Sequence, residues 1–143
     1  MKTVATLLGQ KGTGVYSVGP TATVYEALEL MADRNVGALV IAEQGRLVGI
    51  LSERDYARKV ILRGRTSADT RVSEIMTTEV RTVAPTGTID ECMELMTDHR
   101  IRHLPVLDGD EIVGMISIGD IVKEVIAHLA SMVEQLESYI RGV

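Results

Sequence analysis

Apolar positions recur with a helical period in two separate parts of the chain. Both parts follow the spacing i, i+3, i+4, i+7, through Val24, Ala27, Leu28 and Met31 in one and Ile89, Cys92, Met93 and Met96 in the other. A threonine, Thr23 or Thr88, stands directly before each part, and threonine commonly caps helix N-termini. The pattern predicts two amphipathic helices, each with its apolar face packed on a sheet.

Short aliphatic runs predict the strands of that sheet. Residues 38–42 and 47–51 flank a turn-forming segment, and the same arrangement recurs around residues 108–111. In front of each helix a short extended piece stops at Pro20 or Pro85, where a missing N–H suits a strand end. Beyond the second aliphatic run the period is helical again, so each unit reads β-α-β-β-α.

The two units are copies of one another. Residues 18–58 align on residues 83–123 at a constant offset of 65 without a gap. Identical pairs include Pro20 with Pro85, Gly49 with Gly114, Ser52 with Ser117 and Asp55 with Asp120. A unit of roughly 50 residues buries its apolar faces poorly on its own, so we expect the copies to pack together.

The repeat suggests a domain plan. We expect a first repeat with an N-terminal helical segment, a linker with a short helix, a second repeat and a C-terminal helical extension, at residues 1–62, 63–79, 80–125 and 126–143. The last helix should run over residues 118–141, longer than one repeat needs to cover. Its apolar residues are either an ordinary core stripe or a surface for a partner.

Composition narrows the classes of function. The chain has no Phe or Trp, four Tyr and a net charge of −5, which disfavours a nucleic-acid partner because such surfaces use clustered basic and aromatic residues. No apolar run reaches the length of a membrane span or signal peptide, so we expect no membrane partner and a cytoplasmic protein. The single cysteine, Cys92, cannot form an internal disulfide and is expected to be a buried hydrophobic residue.

Two motifs in register resemble a known family. Residues 49–55 read Gly-Ile-Leu-Ser-Glu-Arg-Asp and residues 114–120 read Gly-Met-Ile-Ser-Ile-Gly-Asp, both similar to the Gly-x-x-Ser/Thr-x-x-Asp motif of CBS domains. Residues 102–106 also resemble the strand that lies beside the nucleotide in that family. The resemblance implies an α+β fold of two tandem CBS repeats about a pseudo-twofold axis, called a Bateman module. It also implies a homodimer that forms a flat disc of four CBS domains.

The repeated motif has a structural and a functional interpretation. Ser-x-x-Asp between a strand and a helix is a capping box, which needs no ligand. The same geometry can hold a small anion near the helix N-terminus, and the acid can accept two hydrogen bonds from a ribose diol. Asp55 and Asp120 are therefore the predicted ribose anchors.

By resemblance, each of two clefts combines the motif of one repeat with residues of the other. The first cleft would join Ser117 and Asp120 to Ala22, Ala27, Val36, Gly37 and Ala38. The second would join Ser52 and Asp55 to Gly87, Cys92, Ile101, Arg102 and His103.

The repeat breaks where Gly37 and Ala38 become Arg102 and His103 in the second copy. Small residues leave room for a flat base, whereas Arg102 can hold phosphate and His103 can add a donor. The alternative is that Arg102 and His103 are ordinary surface residues at a strand end. Arg54 and Lys59, after Ser52, are weaker phosphate candidates, because their spacing also fits a solvated helix face.

The sequence favours a regulatory binding module over an enzyme. It shows no nucleophile with a base, no paired carboxylates and no metal-ligand spacing, so we predict no catalytic residue, no metal and no catalytic cofactor. The expected ligand is an adenine nucleotide, with AMP, ADP, ATP, NAD and S-adenosylmethionine left open, and the output would pass to an unknown protein target. The alternative is a ligand-free module that dimerises or docks on a partner.

Overall fold

The computed structural model describes residues 2–12 and 14–142 and shows the two expected repeats of mixed α and β structure. The elements of the first half are α1 (Val4–Lys11), β1 (Ser17–Val18), α2 (Val24–Arg34), β2 (Ala38–Glu43), β3 (Arg46–Ser52), α3 (Glu53–Lys59) and a 3-10 turn (Ile61–Arg63). The elements of the second half are α4 (Val72–Ile75), α5 (Ile89–His99), β4 (His103–Asp108), β5 (Glu111–Ser117) and α6 (Ile118–Ile140).

Each repeat is built on an antiparallel hairpin with a matching irregularity. In the first repeat β2 pairs with β3, and β1 adds a parallel edge. In the second repeat β4 pairs with β5, and the parallel edge is reduced to a bridge between Val83 and Val106. The register shifts between Ile41 and Ala42 in one hairpin and between Val106 and Leu107 in the other, at equivalent positions. The duplication read from the sequence is therefore preserved down to the strand register.

The predicted caps fix where the helices begin. The Thr23 and Thr88 side chains accept hydrogen bonds from the N–H groups of Glu26 and Glu91 at the start of α2 and α5. Complete capping boxes at Ser52 and Ser117 start α3 and α6. These caps satisfy N–H groups that the first turn leaves without helical partners.

Each repeat has its own hydrophobic core, and each core is completed by a helix from outside the repeat. The short helix α4 buries Val72 and Ile75 in the core of the first repeat. The N-terminal helix α1 buries Val4, Leu7 and Leu8 in the core of the second repeat. The domain plan placed this N-terminal segment beside the first repeat, and the chain instead carries it across to the second.

Close packing at two equivalent glycines shows that α1 and α4 play matching roles. A β-carbon at Gly114 would stand 2.6 Å from a Leu8 methyl carbon, and one at Gly49 would stand 2.6 Å from the Met76 sulfur. Real β-carbons do not approach other atoms this closely, so both positions require glycine while these neighbours stay in place. Leu8 and Met76 thus pack over equivalent glycines of the two hairpins.

The helix α6 runs beyond the core that it helps to build. Its first turns bury Ile121 and Glu124. The later residues of the predicted stripe are exposed, including Leu129, Leu136 and Ile140. The stripe is therefore core at one end and open surface at the other.

Candidate ligand cleft between the repeats

A cavity of about 400 Å³ lies between the two repeats. The first repeat contributes Gly37, Ile50 and residues 52–55, the linker contributes Thr77 and Glu79, and the second repeat contributes Val80, Arg81 and residues 100–103. We call this cavity the Asp55 cleft. It brings five of the predicted residues of that cleft together: Ser52, Asp55, Ile101, Arg102 and His103.

The Asp55 carboxylate is held from several sides at the end of this cleft. Its Oδ2 atom accepts hydrogen bonds from the Ser52 N–H at 3.0 Å and the Ser52 hydroxyl at 3.1 Å. Its Oδ1 atom lies 3.2 Å from Lys59 Nζ and 3.4 Å from the Thr77 hydroxyl. The capping box predicted from the sequence is present, and it fixes the carboxylate beside the cavity.

Four arginines and three acids, Glu53, Asp55 and Glu79, line the Asp55 cleft, so arginine is the more frequent charged residue there. Arg54, Arg81, Arg100 and Arg102 all line it, although the chain as a whole carries a net charge of −5. The Arg54 guanidinium donates to the Arg100 carbonyl at 3.0 Å, which joins the two repeats across the cleft. Arg100 itself has a left-handed backbone with φ of 53°, at the end of α5. The guanidinium groups that line the cleft can attract and hold the phosphate groups of a small ligand.

His103 lies at the meeting point of the repeats. A β-carbon at Gly37 would stand 3.6 Å from the His103 ring, an ordinary contact distance, so the strand ends of the two repeats lie next to each other here. Burial, together with the neighbouring charges of Lys11, Arg102 and Arg54, lowers the pKa of His103 below its ordinary value, despite the opposing effect of Asp120. The ring is therefore neutral at pH 7 and can donate one hydrogen bond or accept one.

Two predicted basic residues have structural contacts as well. Arg54 lines the Asp55 cleft, as described above. Lys59 is not part of the described lining, and it joins Asp55 to the Ile75 carbonyl at 2.9 Å. The structure thus places Lys59 behind the carboxylate, where it connects α3 to α4.

Two other residues predicted for this cleft lie elsewhere. The Gly87 carbonyl accepts a hydrogen bond from the Val4 N–H at 2.8 Å, so it is covered by α1. Cys92 is fully buried in the core of the second repeat, where burial raises the pKa of its thiol to about 11. The interpretation of Cys92 as a buried hydrophobic residue agrees with this position.

The residues predicted for the other cleft are only partly assembled. Ser117 and Asp120 cap α6, and the side chain of Lys11 reaches the Asp120 carboxylate. Gly37 lines the Asp55 cleft instead. Ala27 and Ala38 are buried, while Ala22 and Val36 pack against the core of the first repeat.

Sequence reasoning missed the contribution of the linker. Thr77, Glu79 and Arg81 line the Asp55 cleft, yet the sequence analysis placed the first two in the linker and Arg81 in the first strand of the second repeat, and predicted none of them as a site residue. The repeat itself offered a signal. In both halves of the chain, the residues after a short helix, α1 or α4, lead directly into the first strand of a repeat. Arg81 also continues the basic character that Arg102 suggested.

None of the helices in residues 2–12 and 14–142 combines the length and apolarity that crossing a bilayer requires. Within the same residues, no group of three or more His, Cys, Asp or Glu side chains is placed to hold a metal ion.

Comparison with known proteins identifies the family. The family model of the CBS domain matches residues 12–62 and 72–127. The chain is 46% identical over 125 residues to the mitochondrial CBS domain-containing protein CBSX3 of Arabidopsis thaliana, a match that covers 84% of this chain and 61% of that protein. The chain therefore spans less than two thirds of that relative.

Solved structures show the same architecture. A CBS-domain protein from Burkholderia ambifaria MC40-6 is 53% identical with a TM-score of 0.85, covering 88% of this chain and 95% of that one. A CBS domain pair solved with 5′-methylthioadenosine and S-adenosyl-L-methionine, protein MJ0100, shares the fold at 23% identity and a TM-score of 0.80, covering 90% of this chain and 98% of that one. The chain belongs to the CBS-domain family, as a pair of CBS domains.

Proposed function

We propose that the Asp55 cleft binds an adenine nucleotide of the AMP, ADP, ATP or NAD class, and that the protein is a regulatory sensor rather than an enzyme. The observation that carries the proposal is the meeting of Asp55 with Ile101, His103 and four arginines in one cavity. The structure of MJ0100 with two adenosine compounds supports it, because that ligand class fits this fold.

The ribose would bind at Asp55. Both oxygens of the carboxylate already accept hydrogen bonds, but two of these come from the hydroxyls of Ser52 and Thr77. A hydroxyl rotates freely and can donate to a ligand instead, since it is both donor and acceptor. The ribose hydroxyls can then take the released positions on Asp55, while the Ser52 N–H and Lys59 keep the carboxylate in place.

The phosphates would lie among Arg81, Arg100 and Arg102. Charge-assisted bonds from guanidinium groups are stronger than neutral ones and suit phosphate oxygens. The base would lie against the apolar surface of Ile50, Val80 and Ile101. A cleft with this many arginines favours ligands with more phosphates, so we expect ADP and ATP to bind more tightly than AMP.

Calorimetric titration with AMP, ADP, ATP, NAD and S-adenosylmethionine tests the proposal. Asp55→Asn should weaken the tightest ligand by about tenfold to a hundredfold, because a hydrogen bond to a charged group contributes roughly 1.5–3 kcal/mol. Asp110→Asn, at an exposed turn, is the matched control and should bind as the wild type does. A folded wild-type chain that binds none of the five ligands contradicts the proposal.

A second candidate, a protein-interaction scaffold, is favoured by the exposed apolar residues of α6. Ile126, Leu129, Val133 and Leu136 are all more than half exposed in the single chain. We propose that this surface forms a homodimer, which is compatible with nucleotide sensing and passes its output to a partner protein. Binding of no ligand by a stable dimer would leave the scaffold as the function.

The cellular place of the protein also stays a proposal. We expect it in the cytoplasm, acting without nucleic acid or membrane. The name of the plant relative places that protein in mitochondria, so fractionation of cells with an antibody to this chain is the direct test. Recovery with organelles or membranes would contradict the expectation.

A further inference from the structure

The offset between the repeats makes the surroundings of Asp120 equivalent to those of Asp55, and we call this second position, Ser117 and Asp120 with the strand end before them, the Asp120 cleft. Ser117 and Asp120 form the same capping box as Ser52 and Asp55. The helix N–H of Ile118 donates to the Arg102 carbonyl at 2.8 Å, just as the N–H of Glu53 donates to the Gly37 carbonyl at 3.1 Å. The backbone frame of the two clefts is therefore the same.

The groups that contact the strand and the aspartate differ between the two clefts. In the first repeat, the Thr77 backbone exchanges two hydrogen bonds with Ile50, and its hydroxyl reaches Asp55. In the second repeat, the residue equivalent to Ile50 is Met115, and its carbonyl accepts from the Lys11 ammonium at 2.8 Å. The same ammonium lies 2.5 Å from Asp120 Oδ2. A charged side chain thus stands where the other cleft has the linker threonine.

Lys59 also contacts an aspartate, but from a different direction. Its second partner is the Ile75 carbonyl of the covering helix, and it is not in the described cavity lining. Lys11 instead contacts the strand β5 and is close enough to affect His103, whose ring lines the Asp55 cleft. Lys11 therefore ties α1 to both the strand β5 and the aspartate of the second repeat, whereas Lys59 ties Asp55 to α4.

The helix α1 holds Lys11 in this position. Its apolar face is buried in the second core through Val4, Leu7 and Leu8. Before the helix, Lys2 forms a second ion pair at 3.5 Å with Glu124, a residue of α6 that is largely buried. Two lysines at opposite ends of α1 therefore pair with two acids one turn apart on α6.

We propose that Lys11 is an intramolecular occupant of the Asp120 cleft, which excludes the ribose diol of an adenine nucleotide, so that each chain binds one nucleotide and not two. The inference rests on the proposed function of the Asp55 cleft for the class of ligand. The Lys11 ammonium occupies Oδ2 of Asp120 and balances the carboxylate charge, and it also takes the Met115 carbonyl, whose equivalent in the Asp55 cleft is paired with Thr77. A nucleotide can bind there only after Lys11 has left.

Titration calorimetry on Lys11→Ala tests this, with ATP, ADP, AMP and NAD as probes. The wild type should bind one nucleotide per chain and Lys11→Ala two, with the added site lost again in Lys11→Ala/Asp120→Asn. Lys2→Ala is the matched control, because it also removes an ion pair of α1 but leaves Asp120 occupied. It should bind one nucleotide.

A background without the first site separates this inference from the proposed function. Asp55→Asn should bind its nucleotide about tenfold to a hundredfold more weakly than the wild type, and Lys11→Ala/Asp55→Asn should regain one tight site per chain. Equal stoichiometry with and without Lys11 overturns the inference even if the Asp55 cleft binds its nucleotide. Binding only after removal of Lys11 supports the inference and overturns the proposed function, and binding in no variant overturns both.

Discussion

At the residue scale, Cys92 and Asp120 show how burial and hydrogen bonding change ordinary side-chain chemistry. Both residues belong to the second repeat, and both were noted from the sequence as members of a repeated pattern. Their surroundings in the fold decide what they do. Cys92 is enclosed by apolar atoms, whereas Asp120 is buried against hydrogen-bond donors.

We expect the Cys92 thiol to react slowly in the folded protein. With its pKa raised to about 11, only about one thiol in a thousand is ionised at pH 8, and the thiolate is the reactive form. Labelling with a thiol reagent should be slow in buffer and fast in denaturant. Rapid labelling of the folded chain would contradict the buried position.

Asp120 should make the stability of the protein sensitive to acid. Burial alone would raise its pKa, but hydrogen bonds from Lys11 and the Ser117 N–H outweigh burial and lower the pKa below its ordinary value. A carboxyl with a lowered pKa in the folded state stabilises that state above its unfolded pKa, which is about 4, and this stabilisation is lost as the pH falls through the folded value.

Chemical denaturation at neutral pH and near pH 3 measures this effect. The free energy of unfolding of the wild type should fall between the two, and that of Asp120→Asn should fall less. An equal fall in both proteins would show that the Lys11 contact adds nothing to folding.

The residue scale also shows the limits of reading a sequence. The capping box at Asp55 was predictable because two copies of one motif stood in register, and its use as a ribose anchor stays a proposal. The role of Lys11 was not, because it lies outside the aligned repeat and reaches Asp120 from more than 100 positions away along the chain. Only the fold brings them together.

At the element scale, α1 and α4 are the covering helices of the two cores. The side chain of Leu8 fills the space over Gly114. We expect Gly114→Ala to destabilise the protein by about 1–3 kcal/mol, the usual cost of overpacking a core. Thermal or chemical unfolding measures this.

The control is Gly119→Ala in the first turn of α6, where the nearest outside atom lies 3.6 Å from the added carbon. It should be neutral or stabilising, because alanine favours helices more than glycine does. Partial rescue of Gly114→Ala by Leu8→Ala would confirm that Leu8 causes the clash. Equal stability of both glycine variants would contradict the packing of α1 on β5.

Helix and strand types at this scale were predictable, because period and caps agree in both repeats. The partner of α1 was not predictable. An apolar helix of eight residues can complete either core, and nothing in its own sequence states which one. Tertiary packing of Leu8 against Gly114 decides that α1 completes the second core, and the local sequence of α1 holds no information on this contact.

At the scale of the whole molecule, the exposed stripe of α6 should join two chains. Its apolar residues at 122, 126, 129, 133, 136 and 140 alternate spacings of four and three, the pattern with which helices pack against each other. We expect a dimer in solution that Leu129→Glu weakens by about tenfold or more, because it places a charge in an apolar interface. Sedimentation of both proteins measures the change.

Ser131→Glu, an exposed position beside the stripe, is the matched control and should remain dimeric. A wild-type chain that stays monomeric at high concentration would contradict this use of α6. So would a dimer that Leu129→Glu leaves unchanged. In the second case the chains associate through another face.

The central claim is that a nucleotide binds between the repeats with its ribose on Asp55, and a crystal structure of the protein with its tightest ligand of the panel tests it most directly. We predict density for the nucleotide in the Asp55 cleft, with the ribose hydroxyls on Asp55 and the phosphates among Arg81, Arg100 and Arg102. Density for the nucleotide at another place, or a ribose that does not contact Asp55, would contradict the claim.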